Sequence, residues 1–329
     1  MAGTFTHWMV VEEALKKISA TGLQPSLTDY KDFVLLGAVS PDLPYLTDAL
    51  PNAVAKMHNW ADRMHYEKID GFIFTGFNKL SELFKPGSEN YNVAMAWLFG
   101  YVAHVITDVV VHPVVNAIVG PYIFNSTEHR VCEMTQDVLV FAEINGGKDL
   151  SKEGYHLFIR NCSRAPKDNP YMNANQIRPA IKTLWSAILK ENHLEDGEKN
   201  AKRLPKYLTS INPDTWFENY RNGIGTAQTP NFVTRHLLSA ANLAYPLLSK
   251  MGAAERKKYY DVVSMPKGHK PEKFFDVVFT EAVDEVKNAW EKIYADLSGA
   301  KPGDKMKAGA YIRNWNLDLG VDMNDAYMW

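Results

Sequence analysis

The sequence predicts an all-α fold, and three observations support this class. Apolar residues recur at helical spacing along most of the 329 residues, whereas no segment shows the sustained alternation of a strand. Valine-rich runs, which alone would suggest strands, lie inside longer helical patterns such as the one around Val110. Hydrophobic residues make up 46% and charged residues 22% of the chain, which is enough apolar material for a sizeable helical core.

The helices are predicted in chain order from their patterns and end signals. Thr6 is expected to cap the first helix, and Gly37–Pro44 is expected to be a loop because glycine and proline punctuate it. Pro113 is expected to end or kink a central helix that begins at Asn92. The other predicted helices span residues 58–83 (one helix or a pair), 128–144, 152–161, 173–191, 215–222, 232–249 and 271–297. Residues 306–329 lack periodicity and are expected to pack as an irregular tail.

The charge balance and the cysteine content exclude several classes of function. Lys and Arg number 36 against 38 for Asp and Glu, so the net charge of −2 gives no pull towards nucleic acid or an anionic membrane. Two cysteines, Cys132 and Cys162, are too few for a disulfide framework. The first residues show no signal-peptide pattern, so we expect a cytoplasmic protein, or one exported by a route that the sequence does not show.

The most hydrophobic stretch, Ala94–Gly120, is long enough to raise the question of a membrane span. It contains His104, Asp108 and His112, and ionisable groups at that density are costly in lipid. A protein interior can pair such groups with partners. We therefore predict a buried core helix.

The strongest chemical signal is the run of His104, Asp108 and His112 on this helix. Steps of four place the three side chains on one helical face but at different heights, with the two histidine backbones about 12 Å apart. One tetrahedral ion cannot easily collect both histidines, whereas a carboxylate between them is placed to bridge two ions. The alternative is three polar groups that are satisfied separately in a core.

Other candidate ligands are weaker when each is taken alone. His129 and Glu133 share a helical face, with Cys132 as an alternative soft ligand and Glu133 favoured. Asp42 lies between prolines that stiffen its loop, although an Asx turn is a common alternative use of aspartate there. The remaining candidates are His58 and His65, which lie seven residues apart near one helical face, and His7 at the start of the first helix.

Taken in order, these residues resemble the zinc-dependent phospholipase C family, including the branch of the glycosylphosphatidylinositol-specific phospholipase D amino-terminal domain. Thr6-His7-Trp8 looks like the opening of that family, and His58-Asn-Trp60 like its early His-x-Trp segment. Gly100-x-x-x-His104-x-x-x-Asp108 looks like its central motif. The resemblance covers residues 1–145, and beyond them only compatible helices are recognised.

The resemblance implies an all-α zinc-dependent phospholipase C-like domain with two zinc ions and a place for a third. One ion would take Asp42, His58 or His65, His104 and Asp108, and a second would take His112, His129 and Glu133. The third would share Asp108 with His7 and, in the secreted enzymes, with the amino group and carbonyl of an amino-terminal Trp. This chain lacks that Trp, so a third ion requires Met1, or Ala2 after methionine removal, in its place.

The implied activity is hydrolysis of a phosphodiester by a metal-activated water, which gives a phosphomonoester and an alcohol, with Asp42 as the general base. A phospholipid or another small phosphodiester is the expected substrate, with transient contact to a membrane surface. A single domain is expected, in which residues 1–145 carry the ligands, 146–305 build helical walls and 306–329 form the tail.

Two alternatives stay open at this point. A single-strand nuclease could use the same zinc cluster, but it would need a basic, aromatic-lined groove, and the basic residues here are scattered. Nucleic acid is therefore the less favoured partner. A non-catalytic, metal-stabilised helical binding protein is the other alternative, and closed coordination at every ion would distinguish it from an enzyme.

Overall fold

The structure, a computed structural model, describes residues 2–49, 58–163, 175–194, 211–230, 244–300, 304–306, 311–322, 324 and 326. Its α-helices are α1 (Thr4–Lys17), α2 (Leu23–Asp29), α3 (Lys31–Gly37), α4 (His58–Tyr66), α5 (Ile69–Leu83), α6 (Glu89–Val119), α7 (Tyr122–Ile144), α8 (Pro179–Leu189), α9 (Pro213–Gln228), α10 (Ala253–Arg256) and α11 (Thr280–Gly299). Shorter 3-10 or π turns span Ser40–Ala49, Leu150–Lys152, Tyr155–Cys162, Lys190–Leu194, Leu248–Lys250, Lys257–Asp261, Pro266–Gly268 and Phe274–Phe279. The all-α prediction is confirmed.

Strands in the described part of the chain are limited to β1 (Trp315–Asn316) and β2 (Val321–Asp322), which pair antiparallel in the tail. Trp315 pairs with Asp322 and Asn316 with Val321, so the predicted irregular tail contains one small hairpin. The predicted helix at 232–249 falls largely outside the described residues. The division of the chain into ligand-bearing helices, walls and tail stays a prediction.

Helix α6 is the centre of the fold. Its residues from Val93 to Val115 are all buried, because α3, α5, α7 and α11 pack around it. By length and composition it is the one helix among the described residues that could cross a membrane. However, 78% of its most apolar window is buried inside the protein, as expected for a core helix.

Helix α6 does not end at Pro113 but continues to Val119. The proline removes the hydrogen bond that its backbone nitrogen would donate to the carbonyl of Val109. At this point the tail lies against the helix, since a Cβ on Gly320 would meet Pro113 Cγ at 2.4 Å and Val109 O at 2.7 Å. The tail therefore packs against the turn of α6 in which Pro113 removes a hydrogen bond.

Helices α3 and α6 cross with their backbones in contact. A Cβ on Gly37 would lie 2.0 Å from the carbonyl oxygen of Trp97, and one on Gly100 would lie 2.0 Å from that of Val34. No other residue type fits at this crossing. The predicted loop at Gly37–Pro44 is instead the end of α3 followed by the 3-10 helix Ser40–Ala49.

Asp137 of α7 holds the beginning of α1. Its carboxylate accepts hydrogen bonds from the backbone nitrogens of Phe5 (3.1 Å) and Thr6 (2.6 Å), from the Thr6 hydroxyl (2.7 Å) and from the Tyr245 hydroxyl (2.9 Å). The prediction that Thr6 caps α1 is wrong, because Gly3 occupies the cap position and gives no side-chain bond. A carboxylate from another helix does the work of a cap and fixes the direction of α1.

Candidate metal centre

Five elements bring the predicted ligands into one region of the interior. Helix α6 contributes His104, Asp108 and His112, and α1 and α4 contribute His7 and His65. The 3-10 helix Ser40–Ala49 contributes Asp42, and α7 contributes His129 and Glu133. His7, His65, His104 and Asp108 are fully buried, at 0% exposure.

Asp108 lies at the centre of this cluster. Its Oδ1 is 3.3 Å from His7 Nε2 and 3.4 Å from His112 Nε2. Its Oδ2 is 3.2 Å from His104 Nε2 and 3.8 Å from His65 Nε2. Each carboxylate oxygen thus faces two imidazoles, as the spacing on α6 predicted for a bridging carboxylate.

Asp42 adds a second carboxylate to the cluster, near the same nitrogen of His65 that faces Asp108. Its Oδ1 lies 3.1 Å from His65 Nε2 and 4.0 Å from His104 Nε2. Two groups of three donors have their ligand atoms within 4.8 Å of one another, namely His7, Asp42 and His104, and His65, His104 and Asp108. Imidazole nitrogens and carboxylate oxygens are donor types that zinc takes, so these residues fit zinc.

Backbone carbonyls orient three of the imidazoles. Nδ1 of His65 donates to the carbonyl of Ala61 (2.7 Å), and Nδ1 of His104 donates to the carbonyl of Ala38 (3.0 Å). Nδ1 of His112 donates to the carbonyl of Leu317 (2.5 Å). Because a carbonyl only accepts, each Nδ1 carries a proton and each Nε2 turns towards the carboxylates. Metal-binding histidines are usually held in this way.

Several buried atoms of the cluster have no hydrogen-bond partner. They are both ring nitrogens of His7, Nε2 of His112, Oδ1 of Asp42 and Oδ2 of Asp108. Leaving such atoms unpaired in an interior costs free energy, and here His7 Nε2 and His112 Nε2 both lie beside the Asp108 carboxylate. Metal ions bound among these donors would satisfy them.

In the metal-free protein, the close approach of these imidazoles and carboxylates shifts their pKa values. Burial alone would raise the pKa of Asp108, but the charges of His112 and His104 lower it well below its usual range. Burial lowers the pKa of His65, and the hydrogen bond and charge of Asp42 outweigh this and raise it to about 9. The Nε2 atoms of His65 and His104 are 3.3 Å apart, so one of them carries a proton unless a metal replaces it.

His129 and Glu133 lie outside the two compact donor groups. Nδ1 of His129 is 3.7 Å from Oε1 of Glu133 and has no hydrogen-bond partner, while Nε2 donates to the carbonyl of Gly120 at 2.6 Å. Burial lowers the pKa of His112, and the charges of Asp108 and, more weakly, Glu133 oppose this. The second predicted ligand set therefore stays a prediction, with its members facing the His112 end of the cluster.

The two remaining candidate ligands are His58 and Cys132. The side chain of His58 lies outside the described residues, so the choice between His58 and His65 rests on the contacts that His65 makes with Asp42 and Asp108. Cys132 is buried and accepts a hydrogen bond from the amide of Gln136 at 3.4 Å. It belongs to neither donor group and packs as a core residue.

The backbone nitrogen of Ala2 reaches the cluster as well. It donates to Oδ1 of Asp108 at 2.9 Å, and Ala2 is 3% exposed. Ala2 and His7 thus approach the same carboxylate oxygen, where the resemblance places an amino-terminal residue.

Sequence reasoning missed the contribution of the tail. We call residues 314–322 the C-terminal strap. The backbone nitrogen of Leu317 donates to the carbonyl of His65 at 2.9 Å, and its carbonyl accepts from His112. Asp318 accepts from the Tyr66 hydroxyl at 2.5 Å. The aperiodic sequence carried no signal of these contacts.

A cavity of about 320 Å³ adjoins the His112 end of the cluster. It is lined by Pro113, Asn116, Ala117, Pro121, Pro266, Lys267 and Leu319. Its walls are mainly apolar and carry one cationic side chain.

The fold and this cluster define a class, that of all-α proteins with a buried histidine–carboxylate centre for metal ions. The family model for zinc dependent phospholipase C matches residues 6–195, more than half of the chain, and the chain belongs to this family. The match includes every candidate ligand side chain from His7 to Glu133 and extends beyond residue 145, where the motifs ceased to be recognisable. Comparison with curated proteins gave no match, and comparison with solved structures gave none either.

Proposed function

We propose that the protein is a zinc-dependent phosphodiester hydrolase that cleaves a phospholipid or a related small phosphodiester into a phosphomonoester and an alcohol. The observation that carries this proposal is the set of oriented, unpartnered ligand atoms around Asp108. Family membership supports a substrate of the phospholipid type.

The donors divide into three sets. Asp42, His65, His104 and Asp108 would hold one ion, and His112 with His129 and Glu133 a second. His7 with Asp108 and, after removal of Met1, the amino group of Ala2 would hold a third. Bound zinc would lower the pKa of a coordinated water and neutralise charge on phosphoryl oxygens.

Asp42 is the carboxylate we assign as general base. Its side chain is 11% exposed, whereas that of Asp108 is fully buried, so Asp42 is the one that water entering from outside can reach. Burial would raise the pKa of Asp42, but the positive charges of His104 and His65 lower it, which keeps the carboxylate ionised and able to accept a proton.

Elemental analysis of the purified protein, wild type beside Asp108→Ala, tests the cluster. We expect at least about two zinc equivalents in the wild type and loss of most of them in the variant. Asp284→Ala is a matched control, because Asp284 is a surface carboxylate that pairs with Lys17. Folded wild-type protein without zinc would overturn the proposal.

Activity assays then separate the possible substrates. We expect hydrolysis of a chromogenic phosphocholine diester and none of single-stranded DNA. The reverse result would favour a nuclease. Turnover of neither substrate by zinc-loaded protein would favour a non-catalytic binding role.

We further propose that Tyr122–Phe124 makes transient contact with a membrane surface. Ile123 and Phe124 are each 81% exposed and Tyr122 is 48% exposed. The non-helical backbone at Asn125 separates this turn from the rest of α7. Consecutive side chains on a turn point in different directions, so a lipid interface can cover all three, whereas a protein groove would cover one face. Lys267, in the adjoining cavity wall, complements lipid phosphates.

A further inference from the structure

The C-terminal strap joins two of the cluster histidines through a single residue. The backbone nitrogen of Leu317 donates to the carbonyl of His65, and the carbonyl of Leu317 accepts from Nδ1 of His112, which lies 205 residues earlier in the chain. The strap lies beyond residue 195, so the family match does not include it.

Contacts on both sides of Leu317 fix the strap to the helices that carry the cluster. The Asn116 amide donates to the carbonyl of Asp318 at 2.7 Å, and the Asn314 side chain accepts from the backbone nitrogen of Ile69 at 3.0 Å. Gly320 lies against Pro113, directly after His112. The strap is therefore attached to α5 and to the turn of α6 that follows His112.

These contacts decide which nitrogen of His112 is free. With its Nδ1 proton held by Leu317 O, His112 presents Nε2 to Asp108, 3.4 Å away. Without that acceptor the ring would be free to rotate or to change tautomer. Zinc binding would then have to fix the ring, and this cost in free energy would weaken the affinity for zinc.

We propose that the C-terminal strap is part of the metal centre, and that Leu317, through its backbone carbonyl, is a positioning residue for His112. This rests on the proposed zinc site. Displacing the strap should weaken the zinc that His112 holds by about 10- to 100-fold, the usual effect of losing an outer hydrogen bond to a metal-binding histidine. The ion held by Asp42, His65 and His104 should be affected less, because the hydrogen bond from the strap to His65 is made to its backbone carbonyl and does not orient its ring.

Gly320→Ala displaces the strap, and Gly268→Ala is its matched control. Both glycines have a positive φ, +65° and +74°, so both substitutions strain the backbone. Only at position 320 would the new Cβ meet other atoms, those of Pro113 and Val109, since nothing lies within 4 Å at position 268. Zinc titration of the full chain should show one weakened site in Gly320→Ala and wild-type affinities in Gly268→Ala.

The tautomer of His112 gives a second measurement that general destabilisation would not change. In folded, metal-free wild type, long-range ¹H–¹⁵N spectra should show a protonated Nδ1 on His112, and this signature should weaken in Gly320→Ala. Equal zinc affinities and an unchanged tautomer in the two glycine variants would overturn the role of the strap.

If Gly320→Ala fails to fold, Asn116→Ala carries the same test with a substitution that adds no atoms to the contact. It removes one attachment of the strap and leaves Leu317 and His112 unchanged. Weakened zinc binding would support the proposal, and wild-type binding would overturn it. Absence of zinc from the wild type is a different result, since it would overturn the proposed function itself.

Discussion

Gly37 and Gly100 meet at the crossing of α3 and α6, so closely that a Cβ on Gly100 would lie 2.8 Å from Cα of Gly37. This contact has a consequence for the metal centre one turn further along α6. Ala38 directly follows Gly37, and its carbonyl accepts the Nδ1 proton of His104 at 3.0 Å. The glycine of the Gly-x-x-x-His motif therefore lets α3 come close enough to orient the histidine.

Gly100→Ala should destabilise the protein. The new methyl group would meet the backbone of α3, which cannot move aside as a side chain can. We expect the free energy of unfolding to fall by about 1–3 kcal/mol or more, as in other overpacked cores, measured by denaturant unfolding. Gly299→Ala is the control, because nothing lies within 4 Å of its Cβ position. Equal stability of the two variants would contradict the close crossing.

Asp42→Asn should separate metal binding from proton transfer. The amide keeps an oxygen in place of Oδ1 but cannot act as a base, so we expect the variant to fill its zinc sites when zinc is added to saturation. kcat should fall by at least about 100-fold, the lower range for loss of a general base. Stopped assays with parallel elemental analysis measure both quantities. Undiminished kcat at full zinc loading would remove Asp42 from the role of base.

The stability of the protein should depend on Asp137 between pH 4 and 8. Burial raises the pKa of Asp137 to about 7, although hydrogen bonds from Thr6, Phe5 and Tyr245 lower it. The folded state thus keeps a proton that the unfolded state releases near pH 4. The contribution of this group is fully present below pH 4 and is lost as pH rises through 7. Asp137→Asn, which does not titrate, should lose less stability between pH 5 and pH 8 than the wild type. Parallel pH profiles of unfolding for the two proteins would contradict this.

The exposed turn Tyr122–Phe124 should contribute to vesicle binding and not to the hydrolysis of a soluble substrate. Replacing Ile123 and Phe124 together by Ser removes apolar surface whose burial contributes about 1.5–3 kcal/mol per side chain. We expect at least about tenfold weaker sedimentation with phosphatidylcholine vesicles, and unchanged hydrolysis of a short-chain soluble diester. Leu157→Ser, at another exposed apolar residue, is the control. Vesicle binding that survives the double substitution would assign the contact to a different surface.

The part of the centre that lies on one helix could be predicted from the sequence. The relative positions of His104, Asp108 and His112 depend only on helical geometry, so spacing alone placed a carboxylate between two histidines. Asp42 and His7 could be assigned as ligands only from the order of all the motifs along the chain, because each residue is ambiguous when read alone.

Contacts between distant segments could not be predicted in the same way. Thr6 has the side chain of a cap residue, yet Asp137 from a helix more than a hundred residues later supplies the acceptor. Pro113 carries a local signal to stop a helix, and the packing around it outweighed that signal. No local pattern announces that the carbonyl of Leu317 will meet His112, since any residue has a carbonyl.

The hydrogen bond between His112 and Leu317 also has a consequence for the order in which the candidate metal centre is assembled during synthesis. A ribosome must add 205 residues after His112 before the acceptor for its proton exists. Until then the second histidine of α6 lacks the acceptor that orients its ring, so a nascent chain that ends before residue 317 has an incomplete set of oriented candidate ligands.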